Sequence, residues 1–143
     1  MNIKEFIIIT MFAIFSLIIA FWDIKTGEVP RIAFIIAFCI FLTLNVLRKE
    51  HYPLLISFIG TMLGILIFSI AFFVSRKRLG LADIWYSGLI GMVLGPLWWY
   101  PAIGIACLTG VICVFIFKKR RIPFIPCMAV GSVAMSIVKG LFL

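Results

Sequence analysis

Charge is scarce in this sequence, and acid is scarcer than base. Of 143 residues only 13% are charged, thirteen Lys and Arg against five Asp and Glu, for a formal net charge of +8, while 65% are hydrophobic. A soluble domain carries roughly a quarter charged residues to solvate its surface. An ordinary water-soluble globule is therefore excluded, and a mean hydropathy of +1.29 points to lipid as the solvent. Histidine is nearly absent too. His51 stands alone in a loop, so a serine or cysteine triad lacks its general base and zinc hydrolysis lacks its ligands. The four cysteines, Cys39, Cys107, Cys113 and Cys127, form no C-x-x-C pair and read as buried small hydrophobes, neither a metal site nor a disulfide framework. The basic balance does not imply nucleic acid, because the cations sit in short clusters between apolar runs. There they set membrane topology and contact anionic lipid, the partner expected from this part of the sequence.

What the sequence does have is long uncharged stretches, at 6–22, 32–47, 54–75, 84–117 and 122–138. Several approach the ~17 to 25 residues a helix needs to cross a hydrocarbon core. The fourth is too long for one crossing and is interrupted by Gly95-Pro96 and Pro101, with Trp98, Trp99 and Tyr100 between, which reads as two helices meeting at an aromatic membrane interface. The expectation is an all-α polytopic membrane protein of six transmembrane helices, forming one integral-membrane domain over 1–143. The first run precedes no small-x-small cleavage site and reads as a retained helix rather than a signal peptide. Lys and Arg divide nine to four between the odd loops (Lys25, Arg31, Arg76, Lys77, Arg78, Lys118, Lys119, Arg120, Arg121) and the other side (Lys4, Arg48, Lys49, Lys139). That asymmetry puts the odd loops in the cytoplasm and both termini outside.

Asp23 and Asp83 are the only aspartates, and this topology puts both at the cytoplasmic face. Asp83 begins a stripe with Ser87, Gly91 and Gly95 at intervals of four, one helical face whose small residues admit a close neighbour. Gly60 and Gly64 give the third helix a similar patch. Such faces serve packing within one bundle and between chains alike, so they set no oligomeric state. Two carboxyl groups in a partly dry site share a proton, one acting as base on water and the other as acid toward a carbonyl. Intramembrane carboxylates also relay protons or ions, and spacing does not choose between the two chemistries. Neither requires a metal or an organic cofactor.

Three blocks around these residues resemble the type IV prepilin peptidases, polytopic aspartic proteases of bacterial and archaeal membranes related in catalytic motif to the GxGD proteases. Asp23-Ile24-Lys25-Thr26-Gly27-Glu28-Val29-Pro30 is similar to the first aspartate block, with its basic, polar turn and a proline that restarts a helix. Gly80-Leu81-Ala82-Asp83 resembles the G-x-G-D block. Ile122-Pro123-Phe124-Ile125-Pro126, with Gly131, is similar to the I-P-F-x-P segment that opens the last helix of the family. The resemblance implies Asp23 and Asp83 as the catalytic dyad, with Gly80, Ala82, Lys25, Glu28, Pro30, Pro123 and Pro126 as motif or substrate support. It implies cleavage of the basic leader of a prepilin-like partner after a glycine, at the cytoplasmic face of a cell membrane. Ala82 stands where the family has a second glycine, and Trp85 where a basic residue commonly follows the aspartate. These departures keep open a catalytically lapsed assembly partner of a pilus or secretion system, beside the small ion or proton transporter. The larger enzymes of the family carry paired C-x-x-C motifs and a methyltransferase activity; without such pairs, a peptidase alone is expected.

Overall fold

The computed structural model of the chain describes residues 3–47, 51–76, 79–118 and 123–142, with residues 51–53 described by their backbone alone. Six helices account for nearly all of them: α1 (Ile3–Thr26), α2 (Arg31–Val46), α3 (His51–Val74), α4 (Leu81–Leu94), α5 (Pro96–Phe117) and α6 (Phe124–Phe142). The loop charges Arg48, Lys49, Lys77, Arg78, Lys119, Arg120 and Arg121, the His51 side chain, and Ile122 of the third block lie outside what is described.

Local chemistry sets the boundaries. α1 stops where Gly27 adopts a left-handed φ of 71° and its N–H bonds the Asp23 carbonyl at 2.9 Å, a glycine C-cap. Pro30, extended at φ −65° and ψ 134°, then starts α2. α3 and α5 end on the left-handed cations Arg76 (φ 53°) and Lys118 (φ 49°), whose charge suits the negative end of a helix dipole. Between α4 and α5 the only connecting residue is Gly95, at φ 81° and ψ 170°, followed by Pro96 at the first helical position, where a missing N–H costs nothing.

This corrects the expected aromatic junction. Trp98, Trp99 and Tyr100 lie inside α5, which continues through Pro101. Trp99 is 2% exposed, with its indole N–H donating to the Ser87 carbonyl and Ser87 Oγ at 3.2 Å each, so it is a core residue rather than an interfacial anchor. The cysteines are corrected too: Cys127 alone is buried, Cys113 is partly so, and Cys39 and Cys107 face outward, where lipid accepts a thiol as readily as a core does.

Four helices are long and apolar enough to cross a membrane: α1, α3 from Leu54, α5 and α6. α2 and α4, with 16 and 14 residues, fall short of the ~17 to 25 that a full crossing takes. The six crossings expected from the sequence thus become six helices with four long apolar ones. Large apolar side chains cover the outside of α1, α2, α3 and α5, the pattern of a bundle surrounded by lipid.

α4 is the exception, with every residue from Tyr86 to Leu94 buried, and it touches all five other helices. Its central place depends on α3. A Cβ built on Gly60 would collide with the Gly91 carbonyl oxygen, and one on Gly91 with the Gly60 carbonyl oxygen, while Gly64 lies against the Ser87 backbone. The Ser87 and Gly91 positions of the four-residue stripe therefore face the Gly60 and Gly64 patch, backbone to backbone. Gly131 repeats the device between α6 and α5, where a Cβ would strike the Ala102 carbonyl oxygen.

These pairings fix direction. α3 and α4 run antiparallel, because Gly60 meets Gly91 and Gly64 meets Ser87. α6 runs parallel to α4, since Tyr86 meets Ser132 and Lys139 reaches the carbonyls of Val93 and Leu94. α1 runs antiparallel to α6, as Glu5 and Ile8 lie beside Lys139 and Gly140. The carboxyl end of α1 and the amino end of α4 consequently share one end of the bundle.

Replacing Gly91 by alanine is expected to destabilise the folded protein by about 1–3 kcal/mol, because two backbones must separate to admit one methyl group. Gly104→Ala, where nothing lies within 4 Å of the added carbon, is the control and is expected to be neutral or mildly stabilising. Unfolding in mixed micelles measures both.

Candidate active site

Asp23 lies in the last turn of α1 and Asp83 is the third residue of α4. Each is 7% exposed, and the two carboxyl groups are close enough for their charges to interact. Sixty residues apart in sequence, the only aspartates of the chain are brought to one end of the bundle by the helix directions derived above.

Asp83 is held from its own loop. The Gly80 N–H donates to Asp83 Oδ2 at 3.1 Å, and the Asp83 N–H donates back to the Gly80 carbonyl at 3.1 Å, a reciprocal closure of the first turn of α4. A carboxylate there also faces the positive end of the helix dipole. Oδ1 takes no hydrogen bond from the described residues, nor do the Asp23 oxygens, so both groups retain acceptor capacity for a water. Gly80 has an ordinary extended backbone, φ −75° and ψ 146°, and a Cβ there would lie 3.4 Å from Asp83 Oδ2. That is an ordinary van der Waals distance, so neither a left-handed turn nor crowding by the carboxyl group requires a glycine at this position. Ala82 is half-buried against the core. Trp85 is 44% exposed, with its ring edge-to-face on Phe38 of α2, so it serves as an apolar packing residue where a cation would have carried charge.

The remaining sequence-designated residues surround the pair without joining it. Lys25 is exposed, its ammonium 5.4 Å from the centroid of the Phe21 ring, a cation–π contact one turn back on α1. Glu28 is exposed in the α1–α2 turn, where its backbone carbonyl accepts from Thr26 Oγ at 2.8 Å. Pro30 opens α2; Pro123 precedes α6, and Pro126 lies in its first turn. None of the three prolines meets the carboxyl groups through a described polar contact. Among the described residues no three His, Cys, Asp or Glu side chains converge as metal ligands.

Reasoning from sequence missed the polar groups behind the pair. Tyr86, Ser16 and Ser132, from α4, α1 and α6, are completely buried. Helical spacing contained the signal: Tyr86 follows Asp83 by three residues and Ser16 precedes Asp23 by seven, each on the face of its aspartate. The Lys139 ammonium was also missed as a structural group. It donates to the carbonyls of Val93 and Leu94 at 3.3 and 3.0 Å, satisfying the carboxyl end of α4 with charge of the matching sign.

A family model described as the type IV leader peptidase family matches residues 10–115, a stretch that includes both aspartates and stops short of α6. No curated protein and no solved structure matches the chain.

The Gly80 hydrogen bond makes capping separable from chemistry. Asp83→Asn keeps an oxygen for the Gly80 N–H and is expected to retain native stability, whereas Asp83→Ala removes it and is expected to cost about 1 kcal/mol. Thermal unfolding of the two purified variants in detergent checks this.

Proposed function

The chain belongs to the type IV leader peptidase family, and on that ground we propose that it is a membrane-embedded aspartic endopeptidase whose Asp23 and Asp83 cleave the basic leader from prepilin-like proteins. The observation that carries the reading is the convergence of two buried aspartates within electrostatic reach at one end of an apolar bundle. Two adjacent carboxyl groups cannot both ionise cheaply, so one proton is shared between them. The ionised member draws a proton from a water, the water attacks the scissile carbonyl carbon, and the protonated member gives its proton to the carbonyl oxygen. Collapse of the resulting diol, with a proton passed to the leaving amine, restores the pair.

The Gly80 bond to Asp83 Oδ2 fixes that carboxyl group and leaves Oδ1 for the water. A substrate helix lying in lipid beside the bundle would present its amino-terminal end at the depth of the aspartates, and confinement to the membrane raises its effective concentration. The bond to be cut must unwind from that helix, and a glycine before it lowers the cost of doing so. The proposal covers the peptidase step alone.

In this reading the aspartate end faces the cytoplasm, with both termini on the other side and six crossings, the short α2 and α4 included. Lys25, Arg31, Arg76 and Lys118 all belong to the aspartate end, as cytoplasmic loop charges should. Glu28 is a solvated loop charge there, available to a basic leader but too exposed to hold it strongly.

Purified protein in detergent is expected to cut a peptide of basic leader, glycine and hydrophobic helix after the glycine. Asp23→Asn and Asp83→Asn are each expected to lower kcat by about 10³-fold or more while the protein remains folded. Persistent cleavage in either variant would remove the dyad, and no cleavage by folded wild type would favour the lapsed assembly partner. For orientation, Arg31→Cys in a cysteine-free background should react with an impermeant maleimide only after the membrane is opened; labelling of intact cells would reverse the topology.

A further inference from the structure

Behind the aspartates, three hydroxyl side chains from three helices meet in an otherwise apolar interior. Tyr86 of α4, Ser16 of α1 and Ser132 of α6 are each 0% exposed. Their hydrogen bonding is incomplete. The Tyr86 hydroxyl lies 3.4 Å from Ser132 Oγ, long for a bond between two hydroxyl groups. Ser132 can donate little to it, because its own hydroxyl is directed to the Ala129 carbonyl at 3.0 Å. Ser16 Oγ faces the Tyr86 phenol and has no hydrogen-bond partner among the described residues.

The conformation of Ser16 sharpens the point. Thr10, Thr43, Thr61, Thr109 and Ser136 each satisfy their hydroxyl by bonding back to the carbonyl four residues earlier. Ser16 had the same option in the same kind of helix and does not take it. A hydroxyl buried in an apolar core without a partner costs about 1–3 kcal/mol, so the orientation toward Tyr86 calls for a compensating group. The cluster offers a donor and acceptor on Ser16, a weakly engaged phenol, and an acceptor on Ser132. Three convergent polar groups of this kind match the number of bonds that a buried water typically makes.

We propose that Ser16, Tyr86 and Ser132 bind one internal water molecule, and that this water locks α1 to α4 so that Tyr86 acts as a positioning residue for the aspartate pair. The second half rests on the peptidase reading above; the first does not. The need for such a lock follows from the packing. α1 lies mainly on α6 and touches α4 only briefly, yet the two carboxyl groups are divided between α1 and α4. A contact that short fixes the slide and turn of α1 against α4 only weakly, and α1 is otherwise placed through α6. Directional bonds from Ser16 and Tyr86 to a common water would specify both, with Ser132 tying the water to the helix that carries α1.

Hydroxyl-radical labelling by X-ray pulses in isotopically heavy water tests the site itself, since radicals born from an internal water modify the nearest side chain. Tyr86 is expected to take up label several-fold faster than Phe12 and Phe34, which are just as buried, and Ser16→Ala is expected to slow it. Tyr86 labelled no faster than those two rings in folded protein would overturn the water. For positioning, Ser16→Ala and Tyr86→Phe, which keep the packing volume, are expected to lower kcat by about 10- to 100-fold at unchanged KM. They should also shift the pH profile of kcat, because the separation of the carboxyl groups changes. Unchanged kcat and pH profile in both variants would overturn the positioning role. Wild-type protein that cleaves no leader would remove the peptidase reading instead, while the labelling still decides the water.

Discussion

Gly60 and Gly91 meet backbone to backbone, and the positions of the other helices follow from how near this brings α3 to α4. In lipid no hydrophobic force drives one apolar helix against another, so association depends on close van der Waals contact and on polar bonds between helices. Removing the side chains at Gly60, Gly64 and Gly91 gives α4 its closest neighbour. With α3 tight against one side, α2, α5, α6 and part of α1 close the others, and a 14-residue helix becomes the buried axis of the bundle. A helix of that length is shorter than a membrane core, and here its length from Tyr86 to Leu94 is surrounded by protein, while Gly80 and Leu81 at its amino end are exposed.

The ends of α4 show what such burial demands. Its amino end is closed by Asp83 and Gly80 bonding reciprocally, and its carboxyl end by the Lys139 ammonium on the carbonyls of Val93 and Leu94. Midway, Ser87 and the Trp99 indole satisfy each other beside the Gly64 carbonyl. These polar groups of α4 are matched by others from a different turn or helix, as a low-dielectric surrounding requires. Asp83 therefore serves twice: one oxygen completes the helix, while the other stays available next to Asp23. In the proposed peptidase reading, a carboxyl group fixed through a bond that the fold itself needs is preorganised for its chemistry.

Much of this was legible beforehand, and the parts that were not share a cause. The helix count followed from apolar runs divided by charge, glycine and proline, because lipid forces backbone hydrogen bonds inside each segment. The two aspartates stood out since an uncompensated acid in such a sequence is costly. The stripe of Ser87 and Gly91 below Asp83 pointed to a close neighbour, and α3 supplies it. Against this, Trp99 looked like an interfacial anchor because its neighbours Trp98 and Tyr100 fit that role. Its burial depends on Ser87 and on Phe68, whose ring meets it edge-on at 6.2 Å, and neither is near it in sequence. Cys39 and Cys107 looked buried because apolar runs do not reveal which face meets lipid and which meets protein.

Sequence by itself determined a lipid-embedded, all-helical chain with two acids at the ends of helices, since those features depend only on the transfer energy of each residue and on local backbone chemistry. Tertiary structure decided that α4 is the axis, that α6 runs parallel to it and α1 antiparallel, and hence that Asp23 and Asp83 share one end and interact. It also decided that Ser16, Tyr86 and Ser132 converge behind them. Those outcomes rest on contacts between residues distant in the chain, whose strength lies in the shape of two surfaces brought together, and no single stretch of sequence contains both surfaces.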